Sequence, residues 1–308
     1  VILDSSLVVI QDGDAYPPLF LIHDGDGETL LYRNLAQKLR PTRAVYGIQP
    51  LSSKDCPLLH TRIADMAAYY IEQIRTVQPH GPYLLGGMCA GGLISYEMAR
   101  QLEIAGERVA FVGLMDVADG QALLRVAHVS KQRKARFMQS LQIADSSSFY
   151  QRFKKVVDIF FTKANNLLTY EIRSRAQAIS DKTQFRRLRK YLDLQDNISG
   201  FDHRLTFRKI FNFAEQDYSP ASLYNGKLVL FRATRGEGGD EPYIFKYQDP
   251  LLGWSKRTTQ PVKVLDVEGG HSSMLQEPYV EDLAEKINCY LDEVVSLIPE
   301  SVPVAAVD

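Results

Sequence analysis

Cysteine is scarce in this chain. Cys56, Cys89 and Cys289 are three in 308 residues, an odd number at wide spacing. That excludes a disulfide framework and a zinc site, so no metal is expected, and it fits a reducing, cytoplasmic setting. Charge of one sign is also lacking. Formal net charge is −1, so nothing draws the whole chain to nucleic acid or to a membrane surface. No apolar run approaches the length of a membrane span. The first residues, VILDSSLVVIQDG, lack the basic region and long apolar core of a signal peptide. They also lack an initiator Met, which reads as a chain trimmed from a longer polypeptide or one missing its first residues. What remains is 45% hydrophobic and 24% charged, the composition of an ordinary globular protein. The length suits one large α/β domain, or a core domain with a sizeable insertion.

Apolar runs and helical stripes alternate along most of the chain. Residues 18–23 (PLFLIH) read as a buried strand, followed by the loop Asp24-Gly25-Asp26-Gly27. Residues 28–39 carry Leu30, Leu31, Leu35 and Leu39 on one stripe and are expected to be helical. Strands are expected at 43–49, 82–85, 109–115, 227–233 and 262–267. Helices are expected at 61–77, after residue 92, and at 279–297. Such alternation predicts a mostly parallel sheet covered on both faces.

The alternation breaks between about 119 and 215. Residues 121–213 hold 19 Lys/Arg against 7 Asp/Glu and contain no convincing β run. We expect a basic helical insertion, 119–213, within a core of 1–118 and 214–308. Its position favours a lid over a solvated helical subdomain.

Residues 86–92 read GGMCAGG, between an apolar run and a helical pattern. Strand, glycine-flanked turn and helix make the setting of a nucleophile elbow, Gly-x-Ser-x-Gly, here with Cys89 at its centre. Such a turn lifts the side chain clear of the sheet, and the helix directs its positive end at the site. The next backbone N–H, that of Ala90, points where an oxyanion would form. Gly87 and Gly91 are expected because side chains there would collide with strand and helix. The pattern alone is not specific, since free cysteines are commonly buried core residues.

The rest of the chain adds partners in the required order: nucleophile, acid, histidine. Asp116 follows the strand VAFVGLM, and His271 follows the last strand, in VEGGHSSM. Asp119 and Glu268 are the rival acids. His60, His80, His128 and His203 read as surface or lid residues, and His23 as a structural residue closing its strand. The second oxyanion donor is expected from the N–H of Gly25, with Asp24 as rival. A phosphate loop at Asp24–Gly27 is disfavoured by its two carboxylates.

At this point the chain resembles the type I thioesterase domain that ends nonribosomal peptide and polyketide synthases, within the α/β-hydrolase fold. The segments that carry the resemblance are PPLFLIHDGDG, YGIQ, GPYLLGGMCAGGLISYEMARQL, GLMD, LYNGKLVLFRA, DPLLGW and VEGGHSSMLQEP. They cover most of residues 15–120 and 214–292. The resemblance implies release chemistry without a bound cofactor. An acyl or peptidyl carrier protein, upstream in the same polypeptide, delivers the chain as a phosphopantetheine thioester. Cys89 accepts it, His271 is the base, Asp116 orients His271, and the Gly25 and Ala90 N–H groups hold the oxyanion. Release is by cyclisation to a lactone or lactam, by transfer to an acceptor, or by hydrolysis. Arg186, Arg187, Arg189 and Lys190, the densest basic cluster of the insertion, are the candidate docking surface for the carrier or its phosphate; the alternative is a solvated helix face.

Two departures stand out. Most members carry Ser where this chain has Cys89, and many carry Asp where it has Gly270. A thiol gives an acyl-enzyme that remains a thioester and stays activated. Competing readings are a free-standing esterase or lactone hydrolase or an editing thioesterase of the same fold, and a non-catalytic binding protein.

Overall fold

The computed structural model describes residues 6–39, 43–125, 175–194 and 205–297. Most of the expected insertion, with His128 and His203, lies outside these residues. So do 126–174 and 195–204 as a whole, and the helical expectation there.

Seven strands form one sheet in the order β1-β3-β2-β4-β5-β6-β7. They are β1 (Leu7–Gln11), β2 (Ala15–Ile22), β3 (Arg43–Ile48), β4 (Tyr83–Met88), β5 (Val109–Met115), β6 (Val229–Ala233) and β7 (Lys263–Val267). β1 pairs antiparallel with β3, and every other pairing is parallel. Helix α1 (Arg33–Lys38) and the C-terminal α7 (Val280–Val295) cover one face, α2 (Ile63–Arg75) and α3 (Ala90–Ile104) the other. β4 shows why its sequence is apolar throughout. Tyr83 and Leu85 enter the α2/α3 core while Leu84 and Met88 enter the α1/α7 core, so a central strand needs apolar side chains at both parities. The fold class predicted from the sequence is therefore the one observed.

Two elements differ from expectation. The helix expected over 28–39 is a 3₁₀ turn at Leu30–Tyr32 followed by the short α1. Tyr32, Leu35 and Ala36 are buried but Leu30 is 70% exposed, so the leucine stripe is not one continuous buried face. The N-terminal residues, given no element above, supply β1 as an edge strand whose burial never exceeds half-buried. α3 stops where a Schellman motif allows it. Gly106, at φ 79°, donates to Glu103 O, and Glu107 N–H donates to Leu102 O.

Within the expected insertion, residues 175–193 form helix α4 and Phe207–Gln216 form α5, which runs across the expected 213/214 boundary. α4 is tied to the core by Arg62, whose guanidinium bonds both Asp193 carboxylate oxygens at 2.7 Å. Phe185 and Leu188 are buried beneath it. No helix among the described residues is long and apolar enough to cross a membrane.

Candidate active site

Parallel strands end on a common edge, and that edge assembles the site. Met88 pairs with Met115, and Met115 with Phe231. The next residues, Cys89 and Asp116, therefore leave the sheet side by side. Both have positive φ, 51° and 47°, conformations that L side chains seldom adopt and that a functional turn retains. Space enforces the elbow glycines. A Cβ at Gly91 would lie 2.4 Å from Ile22 O, and one at Gly87 would lie 2.4 Å from the Gly91 carbonyl carbon. α3 starts directly after Cys89 and passes against the end of β2 at van der Waals limits.

Asp116 is fully buried. Its Oδ2 accepts from His271 Nδ1 at 2.7 Å and from Tyr243 N–H at 3.1 Å. Its Oδ1 accepts from Ala233 N–H at 3.3 Å. With Nδ1 committed to Asp116, the other ring nitrogen of His271 is left for the cavity that Cys89 and His271 both line. Burial alone lowers the His271 pKa. The hydrogen bond to Asp116, with the nearness and charge of Asp116 and Cys89, outweighs it and lifts the ring to about 9. The imidazole is thus charged at neutral pH, beside a thiol.

The rival acids are occupied elsewhere. Asp119 is buried against Arg257, at 2.7 Å, and Glu268 pairs with Arg235 on the surface. His23 is wholly buried, its Nε2 accepting from Tyr70 Oη at 2.8 Å and its Nδ1 donating to Asp24 O at 2.8 Å. Burial pushes its pKa down to about 4 against the smaller opposing effect of Asp24. It closes β2 as a neutral structural residue. His80 is exposed, as expected, whereas His60 is half-buried beside Tyr69.

Gly25 lies over the thiol, since a Cβ built on it would be 3.8 Å from Sγ. The side chain of Asp24 turns away to accept from the Asp26 and Glu28 N–H groups, and Asp26 pairs with Arg208 of α5. Ala90 opens α3 immediately after Cys89. A cavity of about 580 Å³ opens in front, lined by Asp24, Gly25, Cys89, Asp119, Tyr243 and His271 among others.

Of the basic cluster on α4, Arg186, Arg187 and Lys190 are exposed. Arg189 is not free. It pairs with Asp217 at 2.9 Å, donates to Thr61 O at 2.9 Å, and lies over the Phe185 ring. It fastens α4 to α2 and α5.

The sequence did not point to Asp240 and Tyr243, in the connection between β6 and β7, where Tyr243–Lys246 form the short helix α6. The Asp240 carboxylate accepts from the Ser272 and Ser273 N–H groups at 2.6 and 3.0 Å, and its carbonyl accepts from His271 N–H at 2.9 Å. It fixes the backbone that carries the histidine. A Cβ at Gly270 would lie 2.1 Å from Asp240 Oδ2, so the glycine there is a consequence of this clamp. The only signal was a glycine-rich stretch, GEGGDEPY, with no periodicity.

A family model for the thioesterase domain matches residues 17–290. The chain is similar to malpibaldin synthetase of Mortierella alpina, 27% identical over 265 residues, which is 84% of this chain and 4% of that protein. It spans 2% and 29% of the next two curated relatives. Among solved structures it is similar to a holo four-domain nonribosomal peptide synthetase bound to AMP and glycine, with a TM-score of 0.59 and 24% identity over 96% of this chain and 20% of that one. It is also similar to the surfactin-cyclising thioesterase domain SrfTE, with a TM-score of 0.52 and 14% identity over 93% of this chain and 96% of that one. At such identities the likeness is one of fold, and the fold is that of the α/β-hydrolases.

Proposed function

The chain belongs to the thioesterase domain family, and from that premise we propose that it releases acyl or peptidyl chains from a carrier protein of a nonribosomal peptide or polyketide synthase, with Cys89 as nucleophile. The observation that carries this reading is the juxtaposition at the strand ends. Cys89 sits on a strained turn, and His271, bonded at 2.7 Å to a fully buried Asp116, lines the same cavity.

In the first half-reaction Sγ attacks the thioester carbonyl of the phosphopantetheine-borne chain. The Gly25 and Ala90 N–H groups receive the oxyanion. Collapse breaks the carbon–sulfur bond to pantetheine, whose thiolate takes a proton from His271. In the second half an acceptor O–H or N–H gives its proton to His271 and attacks the acyl carbon. Sγ departs and the product is free. The charged imidazole suits the thioester exchange, because it holds the proton that the departing pantetheine thiolate takes. One thioester replaces another on loading, so the acyl-enzyme keeps its activation for ring closure or transfer to an acceptor.

No resident cofactor enters these steps. Arg186, Arg187 and Lys190 provide a docking surface for the carrier, on a helix that Arg189 holds in place. The test is covalent. Mixing the protein with an acyl-pantetheine thioester should give an acyl adduct by intact mass, mapped to Cys89 and abolished in Cys89→Ala. Turnover without any adduct, or an adduct that survives the substitution, would refute the assignment.

A further inference from the structure

The β6–β7 connection folds back over the site and brings one residue against Cys89, Asp116 and His271 together. The Tyr243 N–H donates to Asp116 Oδ2 at 3.1 Å. Its ring lies parallel to the His271 imidazole, with centroids 4.2 Å apart and 13° between planes. Its hydroxyl oxygen is 3.7 Å from Cys89 Sγ, within hydrogen-bond reach for sulfur.

The chemistry of a thiol gives this placement a use. Sulfur is the nucleophile in the first half-reaction and the leaving group in the second. In the second half the acceptor's proton goes to His271 while the carbon–sulfur bond breaks and its electron pair returns to Sγ. The thiolate so formed needs a donor while the imidazole is engaged with the acceptor. Tyr243 offers an O–H group at that atom. Burial first, then the negative charge of Cys89 and the hydrogen bond to it, raise the phenol pKa well above its ordinary value. The group therefore serves as a donor and not as a base. Lys246 Nζ, 5.0 Å from the centroid of the same ring, draws electron density from it and strengthens the donor.

We infer that Tyr243 is a catalytic residue of the second half-reaction, its hydroxyl hydrogen-bonding the Cys89 sulfur as it leaves the acyl carbon. The inference rests on the reading of Cys89 as the residue that carries the acyl chain. Tyr243 keeps its proton throughout, and the imidazolium formed from the acceptor's proton restores the resting pair. The same hydrogen bond acts oppositely on loading, since it stabilises sulfur before attack and weakens as the new bond forms. Loss of the hydroxyl should therefore slow deacylation and leave acylation undiminished. A residue that only held His271 in place would affect both.

The test is Tyr243→Phe, which keeps the ring and the amide and removes the hydroxyl. Protein and an acyl-pantetheine thioester are mixed and quenched at intervals. Released pantetheine thiol reports acylation, product reports deacylation, and intact mass reports the acyl-enzyme. Acylation should stay within about threefold of the parent or rise, while deacylation should fall about tenfold or more, as expected for one hydrogen bond to a charged atom. Acyl-enzyme should accumulate. Equal falls in both steps, or no change in either, would overturn the inference. Absence of an acyl adduct in the parent protein would instead overturn the reading of Cys89 on which it stands.

Discussion

Replacing Asp116 by Asn separates shape from charge at the centre of the site. The carboxylate receives three donors, His271 Nδ1 and Tyr243 N–H on one oxygen and Ala233 N–H on the other. An amide can keep only part of this. With its oxygen toward His271 it sets its NH₂ against Ala233 N–H, the longest of the three contacts at 3.3 Å. Flipped, it sets the NH₂ against two donors at 2.7 and 3.1 Å. The first orientation costs less, so the bond to His271 survives without its charge. The ring is held at about 9 because Asp116 and Cys89 outweigh burial. Without the Asp116 charge its pKa falls toward the ordinary 6.5. The sign is that of a raised base: the ring is charged below its pKa and neutral above. At pH 7.5 such a fall lowers the charged fraction about tenfold. Lost stabilisation of the imidazolium in the transition state adds to this. We expect acylation to fall roughly 10²- to 10³-fold, about 3–4 kcal/mol. That is less than the roughly 10⁴-fold fall of the corresponding change in a serine protease, where the hydroxyl depends wholly on the base. Single-turnover loading of Cys89 from an acyl-pantetheine thioester, followed by intact mass from pH 6 to 10, measures it. The limb near pH 9 should also move down. A rate within about threefold of the parent at pH 7.5, with that limb unmoved, would refute the assignment of Asp116 as the group that orients and charges His271.

Two further outcomes follow from groups other than Cys89, Asp116 and His271. His23 is buried neutral with a pKa near 4, so folding stability is full above about pH 6.5 and declines as pH falls through the window down to 4, by about 3 kcal/mol in all. Urea unfolding at pH 7 and pH 4 should show that slope flattened in His23→Gln, and an unchanged slope would show that other groups carry it. If Arg186, Arg187 and Lys190 receive the carrier, turnover of carrier-bound substrate should fall between 0.1 and 1 M salt, where the Debye length drops from about 10 to 3 Å, while a small pantetheine substrate should respond much less. Equal salt dependence for both would exclude docking at α4.

How much of this was legible in the sequence depended on whether the signal was local. VAFVGLM is β5 residue for residue, because a strand buried on both faces must be apolar throughout. Asp116 could be named from its position alone, since parallel strands end on one edge and the residue after each strand enters the same space. Gly87 and Gly91 were legible for a similar reason, as a helix pressed on a strand end leaves no room for Cβ. β1 was not, because an edge strand with Val9 53% exposed carries no alternation strong enough to mark it. Arg189 read as one of a basic run, and only the fold brings Asp217 and Thr61 to it. Asp240 and Tyr243 were invisible on the same ground. Their partners are 32 and 127 residues away in sequence, and the segment that holds them has no period. The division is physical. Backbone geometry fixes where Cys89, Asp116 and His271 emerge, and that geometry is written in strand composition and glycine. What steadies those groups, and what stands beside the Cys89 sulfur, is set by a loop whose own sequence is constrained only through contacts. Chemistry peculiar to a thiol is therefore to be sought in the β6–β7 connection and not in the elbow, which would have the same form around a serine.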